Sequence, residues 1–197
     1  MNRVRHCVIS LLAGCGLLAC GSSPPIRFYT LNAVAPSASG TAAAAVAAAG
    51  SIPVRVEPVA IPAELDRLEL VNHTGPNVVH LADSDRWAAA LDDQIRRTLS
   101  DDLAARLPAG LVVDPNEPTN RDARRTLSIS IGQFDADAAC AVSLNVSWTL
   151  RIPHAGDQSG SERIEQASAG GCPAALPAAM SRALGVLADR LAPILAR

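Results

Sequence analysis

The 197-residue sequence predicts an α+β domain: a mainly antiparallel sheet with two helices packed on one face. Three observations predict it. Val142, Leu144, Val146, Trp148 and Leu150 alternate with polar residues, the period of a strand with one buried face. Two other stretches space apolar residues three or four apart, as amphipathic helices do: Trp87, Leu91, Ile95, Leu99, Leu103 and Leu107, then Met180, Leu184, Leu187, Leu191 and Ile194. The order is several strands, a helix, a run of strands and a closing helix, without internal repeats. That suits one domain of ordinary size with its own core.

The chain opens with Arg3 and Arg5, followed by an apolar run from Val8 to Leu18 that is too short to span a bilayer, and then Leu17-Leu18-Ala19-Cys20. This is the outline of a bacterial lipoprotein signal over residues 1–19, with Cys20 as the lipidated residue. Sulfur at the new N-terminus carries a diacylglyceryl group, and small residues before it let the peptide enter a membrane-embedded protease. Two or three acyl chains make an anchor durable where one is marginal. Leu12-Ala13-Gly14-Cys15 is a competing site, but cleavage there leaves an apolar core of only about seven residues. An ordinary secretory signal with incidental cysteines is the plain alternative.

Residues 20–26 form a lipidated tether ending in Pro24-Pro25, and Arg27-Phe28-Tyr29-Thr30-Leu31 has strand composition. Six residues at about 3.5 Å each span no more than about 20 Å, which keeps the domain of residues 27–197 close to the membrane. Residues 33–51 are Ala, Ser and Gly-rich, carry no charge and lack an amphipathic pattern, so they read as a mobile loop. Val54, Val56 and Val59 mark a strand closed by Pro58 and Pro62. Leu68 to Asn72 and Val78 to Ala82 flank His73-Thr74-Gly75-Pro76-Asn77, a hairpin with turn residues at its centre. Ser84 or Asp85 is placed to cap the helix that begins near Trp87. Leu111 to Val113 is a short strand, Leu127, Ile129 and Ile131 a clear one, and Val142 to Ile152 returns through Arg163 to Ala169. Pro173 to Leu195 closes the chain as a helix, with Pro193 marking its last turn for a kink or fray.

Charge and cysteines narrow the function. Removing Arg3 and Arg5 from the 17 basic residues leaves 15 against 19 acidic ones, about −4 for the mature chain, so nucleic acid is not an expected partner. Every basic residue is arginine, a mark of genome composition. Of the five cysteines, Cys7 and Cys15 leave with the signal and Cys20 is acylated, which leaves Cys140 and Cys172 as a pair in an oxidising compartment. A turn at His154 to Gly160 sets these two opposite each other at the open end of a hairpin, where a disulfide forms if geometry allows; two buried free thiols are the alternative.

Catalytic constellations are hard to find. His73, His80 and His154 lack metal-ligand spacing, and neither a Gly-x-Ser-x-Gly elbow nor a phosphate-binding glycine loop occurs. Asp135 and Asp137 lie two apart near a strand end, where solvation at the chain reversal explains them better than acid–base work. Pro62-Ala63-Glu64-Leu65-Asp66-Arg67 is either a loop locked by a local ion pair or a partner contact. Trp87 and Trp148 read as core. No enzyme activity, metal or cofactor is expected.

Together these stretches resemble the PqiC family, auxiliary lipoproteins of ABC-type and MCE transport systems in Gram-negative bacteria. The carriers are Cys20-Gly21-Ser22-Ser23-Pro24 with Arg27-Phe28-Tyr29-Thr30-Leu31, Val54-Arg55-Val56 with Pro58 and Ile61-Pro62, and Leu65-Asp66-Arg67. Arg86-Trp87-Ala88 with Leu91, Gln133-Phe134-Asp135 and the closing helix follow in order. The alanine-rich stretch at 33–51 departs from the pattern. The resemblance implies a non-enzymatic outer-membrane lipoprotein facing the periplasm. It would dock the end of a lipid conduit through an MCE-domain protein and transporter subunits, held by outer-membrane lipid through its acyl anchor. A homo-oligomeric ring is compatible with such symmetric conduits. Gly21, where aspartate would favour retention, fits release to the outer membrane. The alternative is a cell-envelope assembly or secretion lipoprotein acting only through protein partners.

Overall fold

A computed structural model describes residues 24–36, 52–114 and 125–197. The strands are β1 (Arg27–Tyr29), β2 (Val54–Val56), β3 (Glu69–Gly75), β4 (Val78–Trp87), β5 (Val112–Val113), β6 (Arg125–Ala136), β7 (Val142–Arg151) and β8 (Gln158–Gln166). The helices are α1 (Leu91–Ala104), between β4 and β5, and α2 (Leu176–Leu195) at the end. The fold is α+β as expected. Its sheet is mixed, however, not mainly antiparallel.

The long strand β6 organises the sheet. One edge pairs antiparallel with β7, which pairs antiparallel with β8. The other edge is shared, with β2 lying parallel to its start and β3 bridging parallel to its end through Asn72 and Ala136. β2 also carries β5 in parallel, and β1 runs parallel to the end of β4. Every parallel pairing joins segments far apart in sequence, as crossover connections require. Only the β3–β4, β6–β7 and β7–β8 neighbours have the short connections that sequence patterns reveal.

The core follows the periods. Val142, Leu144, Val146, Trp148 and Leu150 are all buried, as are Leu127, Ile129 and Ile131. A bulge between Ile131 and Gln133 then shifts the alternation, so Phe134 and Ala136 turn to the core and Gln133 and Asp135 away from it. Helix α2 packs on α1 and lies across β6, β7 and β8. Its buried stripe contains Met180, Leu184, Leu187 and Leu191, and it ends on Leu195 instead of Ile194; the helix runs through Pro193 to Leu195. Gly160 pairs with Trp148, and a Cβ there would meet the indole ring at 2.7 Å, so the tryptophan needs a glycine beneath it.

Two boundaries differ from expectation. The hairpin strands continue through His73 to Gly75, which leaves Pro76-Asn77 as the connection. β4 also runs on to Trp87, so Ser84 and Asp85 do not cap α1, which starts at Leu91 with no side-chain cap. Pairing explains this: Trp87 N–H donates to Leu68 O at 2.6 Å and Ala88 N–H to Tyr29 O at 2.9 Å, holding the segment extended. Trp87 is buried from the strand end. Asp92 and Asp93 in the first turn of α1 complement the helix dipole without a cap.

Candidate functional site

Cys20, the competing Cys15 and the whole signal lie outside the described residues. What is described is where the tether enters the domain. Pro24 and Pro25 run beside His80, Ala82, Asp83, Ser84 and Pro173, lining a surface cleft of about 400 Å³. β1 then locks onto β4 through Asp85. Arg27 Nη2 donates to Asp85 Oδ2 at 2.8 Å, Arg27 Nε lies 2.7 Å from Oδ1, and Tyr29 Oη donates to Oδ1 at 2.8 Å. Burial pushes the Asp85 carboxyl up, but the hydrogen bonds from Arg27 and Tyr29 and the Arg27 charge outweigh it and hold the group below its ordinary value. The same burial raises the Tyr29 hydroxyl.

Cys140 and Cys172 are joined by a disulfide, with Cα atoms 5.4 Å apart. The route to that contact differs from the expected one. Val142 pairs with Gln166, four residues short of the Gly170 that the expected register places there, because β8 starts at Gln158 after a tighter turn. The two cysteines meet beyond the ladder. Cys140 sits with φ of 63° in the Asp137–Ala141 turn, and Cys172 in the loop leading to α2. That loop brings Pro173 to the Pro24-Pro25 cleft, so the disulfide and the tether entry share one pole of the domain.

The polar residues at this pole are tied to one another. A cleft of about 520 Å³ lies between the β3–β4 hairpin and the β6–β7 turn, lined by His73, Pro76, Asp135, Asp137 and Ala139 among others. His73 Nε2 lies 3.2 Å from Asp135 Oδ2, Gln133 Nε2 donates to Asp135 Oδ1 at 3.0 Å, and Asn145 Nδ2 donates to Gln133 Oε1 at 2.7 Å. Asp137 Oδ1 accepts the N–H groups of Ala139 and Ala141, both at 2.9 Å, and so locks the turn. His80 Nδ1 lies 3.2 Å from Asn72 Oδ1, and His154 stands apart in the β7–β8 turn. Among the described residues no group of three His, Cys, Asp or Glu side chains is placed to hold a metal. Both carboxylates, Asp135 and Asp137, serve as hydrogen-bond acceptors within the fold.

A second constellation escaped the sequence. Residues 31–35 form a strap over α1 and α2. Leu31 N–H donates to Gln94 Oε1 at 3.0 Å, Asn32 N–H to Ser181 Oγ at 3.1 Å, and Val34 N–H to Asp102 Oδ1 at 2.8 Å. Arg106 donates back to Val34 O at 3.2 Å and Ala35 O at 3.5 Å, while its Nε reaches Asp189 Oδ1 at 2.6 Å. Val34 fills the notch at Gly185, where any Cβ would collide with its side chain. Burial raises the Asp102 carboxyl to about 6 despite the Val34 N–H and the Arg106 charge. The start of the alanine-rich stretch, Ala33 to Pro36, is therefore docked; residues 37–51 lie outside the described residues. The signals were present as Asp102 and Arg106 at i,i+4 and as a glycine in the middle of an apolar helix.

Pro62 to Arg67 is a turn that buries Leu65, and Leu65 N–H donates to Pro62 O at 3.0 Å. Among the described residues no helix is long and apolar enough to cross a membrane.

A family model described as an ABC-type transport auxiliary lipoprotein component matches residues 29–192. A crystal structure of an uncharacterized protein is similar at 20% identity and TM-score 0.71, over 87% of this chain and 99% of its own. A crystal structure of a Xanthomonas campestris protein is similar at 16% identity and TM-score 0.66, over 86% of this chain and 95% of its own. At these identities the likeness speaks for the fold. No curated protein matches the sequence.

Proposed function

The chain belongs to the family of ABC-type transport auxiliary lipoprotein components, and from that premise we propose that it is the outer-membrane docking subunit of an MCE-type lipid-transport system. The family is one of membrane-anchored lipoproteins and is not an enzyme family. In this reading Cys20 carries the acyl anchor, the domain faces the periplasm, and an MCE-domain protein with its transporter subunits delivers lipid to it. The observation that carries the reading is the family match over nearly all of the mature chain. Gly21 supports outer-membrane sorting. The short span from Cys20 to β1, with β1 paired to the end of β4, supports a domain working against the membrane surface. A symmetric homo-oligomer fits the role, because a conduit with cyclic symmetry presents equivalent binding surfaces to each subunit.

Affinity capture of the full, acylated chain from envelope extracts tests the proposal. Recovery of an MCE-domain protein with permease and ATPase subunits is expected. Recovery of assembly or secretion components alone would replace the proposal with the reading in which the protein acts through protein partners only.

A further inference from the structure

We propose that the tip of the β3–β4 hairpin is a second membrane contact, in which Val78, Val79 and Leu81 enter the headgroup–acyl boundary of the leaflet that holds the anchor. The inference rests on acylation at Cys20, as proposed above. Among the described residues seven large apolar side chains are exposed, and three of them, Val78 (56% exposed), Val79 (46%) and Leu81 (38%), lie within four residues of the hairpin connection. Two more, Ile26 and Phe28, flank the tether entry. The exposed run of residues 78–81 marks a projecting tip.

Its chemistry suits lipid better than a protein groove. Val78 and Val79 are consecutive in a strand, so their side chains point to opposite faces. A flat partner surface buries one of them, whereas lipid surrounds both. From Thr74 to Leu81 the sequence is Thr-Gly-Pro-Asn-Val-Val-His-Leu, without a single Asp, Glu, Lys or Arg. Insertion therefore desolvates no permanent charge.

Covalent reach places the tip at the correct height. Pro24 and Pro25 line one cleft with His80 and Ala82. Three residues separate Pro24 from Cys20, so the Cys20 Cα lies within about 14 Å of that of Pro24. Two residues separate His80 from Asn77 at the tip, about 10 Å of extended chain. The anchor and the hairpin tip thus reach the same interface from neighbouring starting points. Tether and tip together fix the orientation of the domain, which a single flexible anchor leaves free.

The test uses the full chain, processed and acylated by its host, carrying Val79→Cys, or in a second preparation Val78→Cys. With Cys20 acylated and Cys140 bonded to Cys172, the added thiol is the only one in the mature chain, and it takes a bimane label. A third preparation carries Ala155→Cys in the exposed β7–β8 turn at the far end of β7. Each is reconstituted in phosphatidylethanolamine–phosphatidylglycerol vesicles containing lipid with a nitroxide near the headgroup. Labels at 78 and 79 are expected to shift to the blue and to be quenched, and the label at 155 to do neither. Co-flotation with vesicles without quenching at 78 and 79 overturns the hairpin contact and leaves the anchor standing. A blue shift without lipid quenching overturns it in favour of a protein contact, a second copy or another subunit. Failure to co-float overturns acylation at Cys20 and the inference together.

Discussion

At Asp102 burial and charge pull in opposite directions, and the outcome is measurable. The side chain is fully buried, Oδ1 accepts the Val34 N–H and faces Arg106, and Oδ2 has no hydrogen-bond partner. Burial dominates, so the folded carboxyl titrates at about 6, against an ordinary 3.8. Between these values the native state binds more protons than the unfolded chain, so this group's contribution to stability falls as pH rises from about 4 to about 6 and is level above. Asp85 runs the other way: its depressed value makes its contribution present above the ordinary carboxylate range and lost only as pH drops below it. Between pH 7 and pH 5 the difference between the wild type and an Asp102→Asn variant therefore reports Asp102, since the other titrating groups are common to both proteins. Thermal melts of the wild type and Asp102→Asn across that interval should show the wild-type Tm gaining on the variant as pH falls. A constant difference would mean that Asp102 is not raised.

At the scale of elements, β6, β7, β8 and α2 bear most of the architecture, and the disulfide closes the segment that joins them. It links positions 32 residues apart, and the chain-entropy relation assigns a loop of that length about 3–4 kcal/mol. Cys140→Ser should lower stability by about that amount in denaturant melts, with Cys172→Ser equal to it and the double variant no worse. The masses of the unreduced protein before and after alkylation should match at both positions. The elements that were legible in the sequence are those whose signal is local: the alternation of β7, the four-residue spacing of α1 and α2, and the turn residues Gly75-Pro76-Asn77. Pairings that bring remote segments together were not legible. β1 and β2 are three residues long, and nothing in Arg27-Phe28-Tyr29 or Val54-Arg55-Val56 says that their partners are β4, β5 and β6. Asp85-Arg86-Trp87 misled for a related reason. Its composition suits a helix start, and only pairing with β1 and with Leu68 and Glu69 makes it the end of a strand.

At the scale of the whole molecule, the expected anchor at Cys20 lies outside the described residues, and the way the domain holds its N-terminal segment was not legible in the sequence. Leu17-Leu18-Ala19-Cys20 is a linear pattern, but the strap of residues 31–35 depends on Gln94, Asp102, Arg106 and Ser181 from two helices that meet only in the fold. Together β1 and the strap fasten the N-terminal segment to β4 and to both helices. Pull on the N-terminal segment is thus transmitted to the body of the domain, and the six residues between Cys20 and Arg27 set how far it stands from the proposed anchor. Those residues reach no more than about 20 Å. If docking a conduit at the membrane requires that closeness, length matters and the sequence after Gly21 does not. Inserting twelve Gly-Ser residues after Ser23 adds a flexible coil of about 20 Å root-mean-square span. Such a variant should fractionate with membranes as the wild type does, yet fail to restore envelope integrity in a deletion strain. Replacing Ser22-Ser23 by two other small polar residues, with Gly21 kept, should restore it fully. If Cys20 carries the acyl anchor as proposed, Cys20→Ser should lose both membrane fractionation and complementation. Full complementation by the lengthened tether would show that the anchor sets the compartment and not the height, and the role at the membrane surface would then have to come from partners alone.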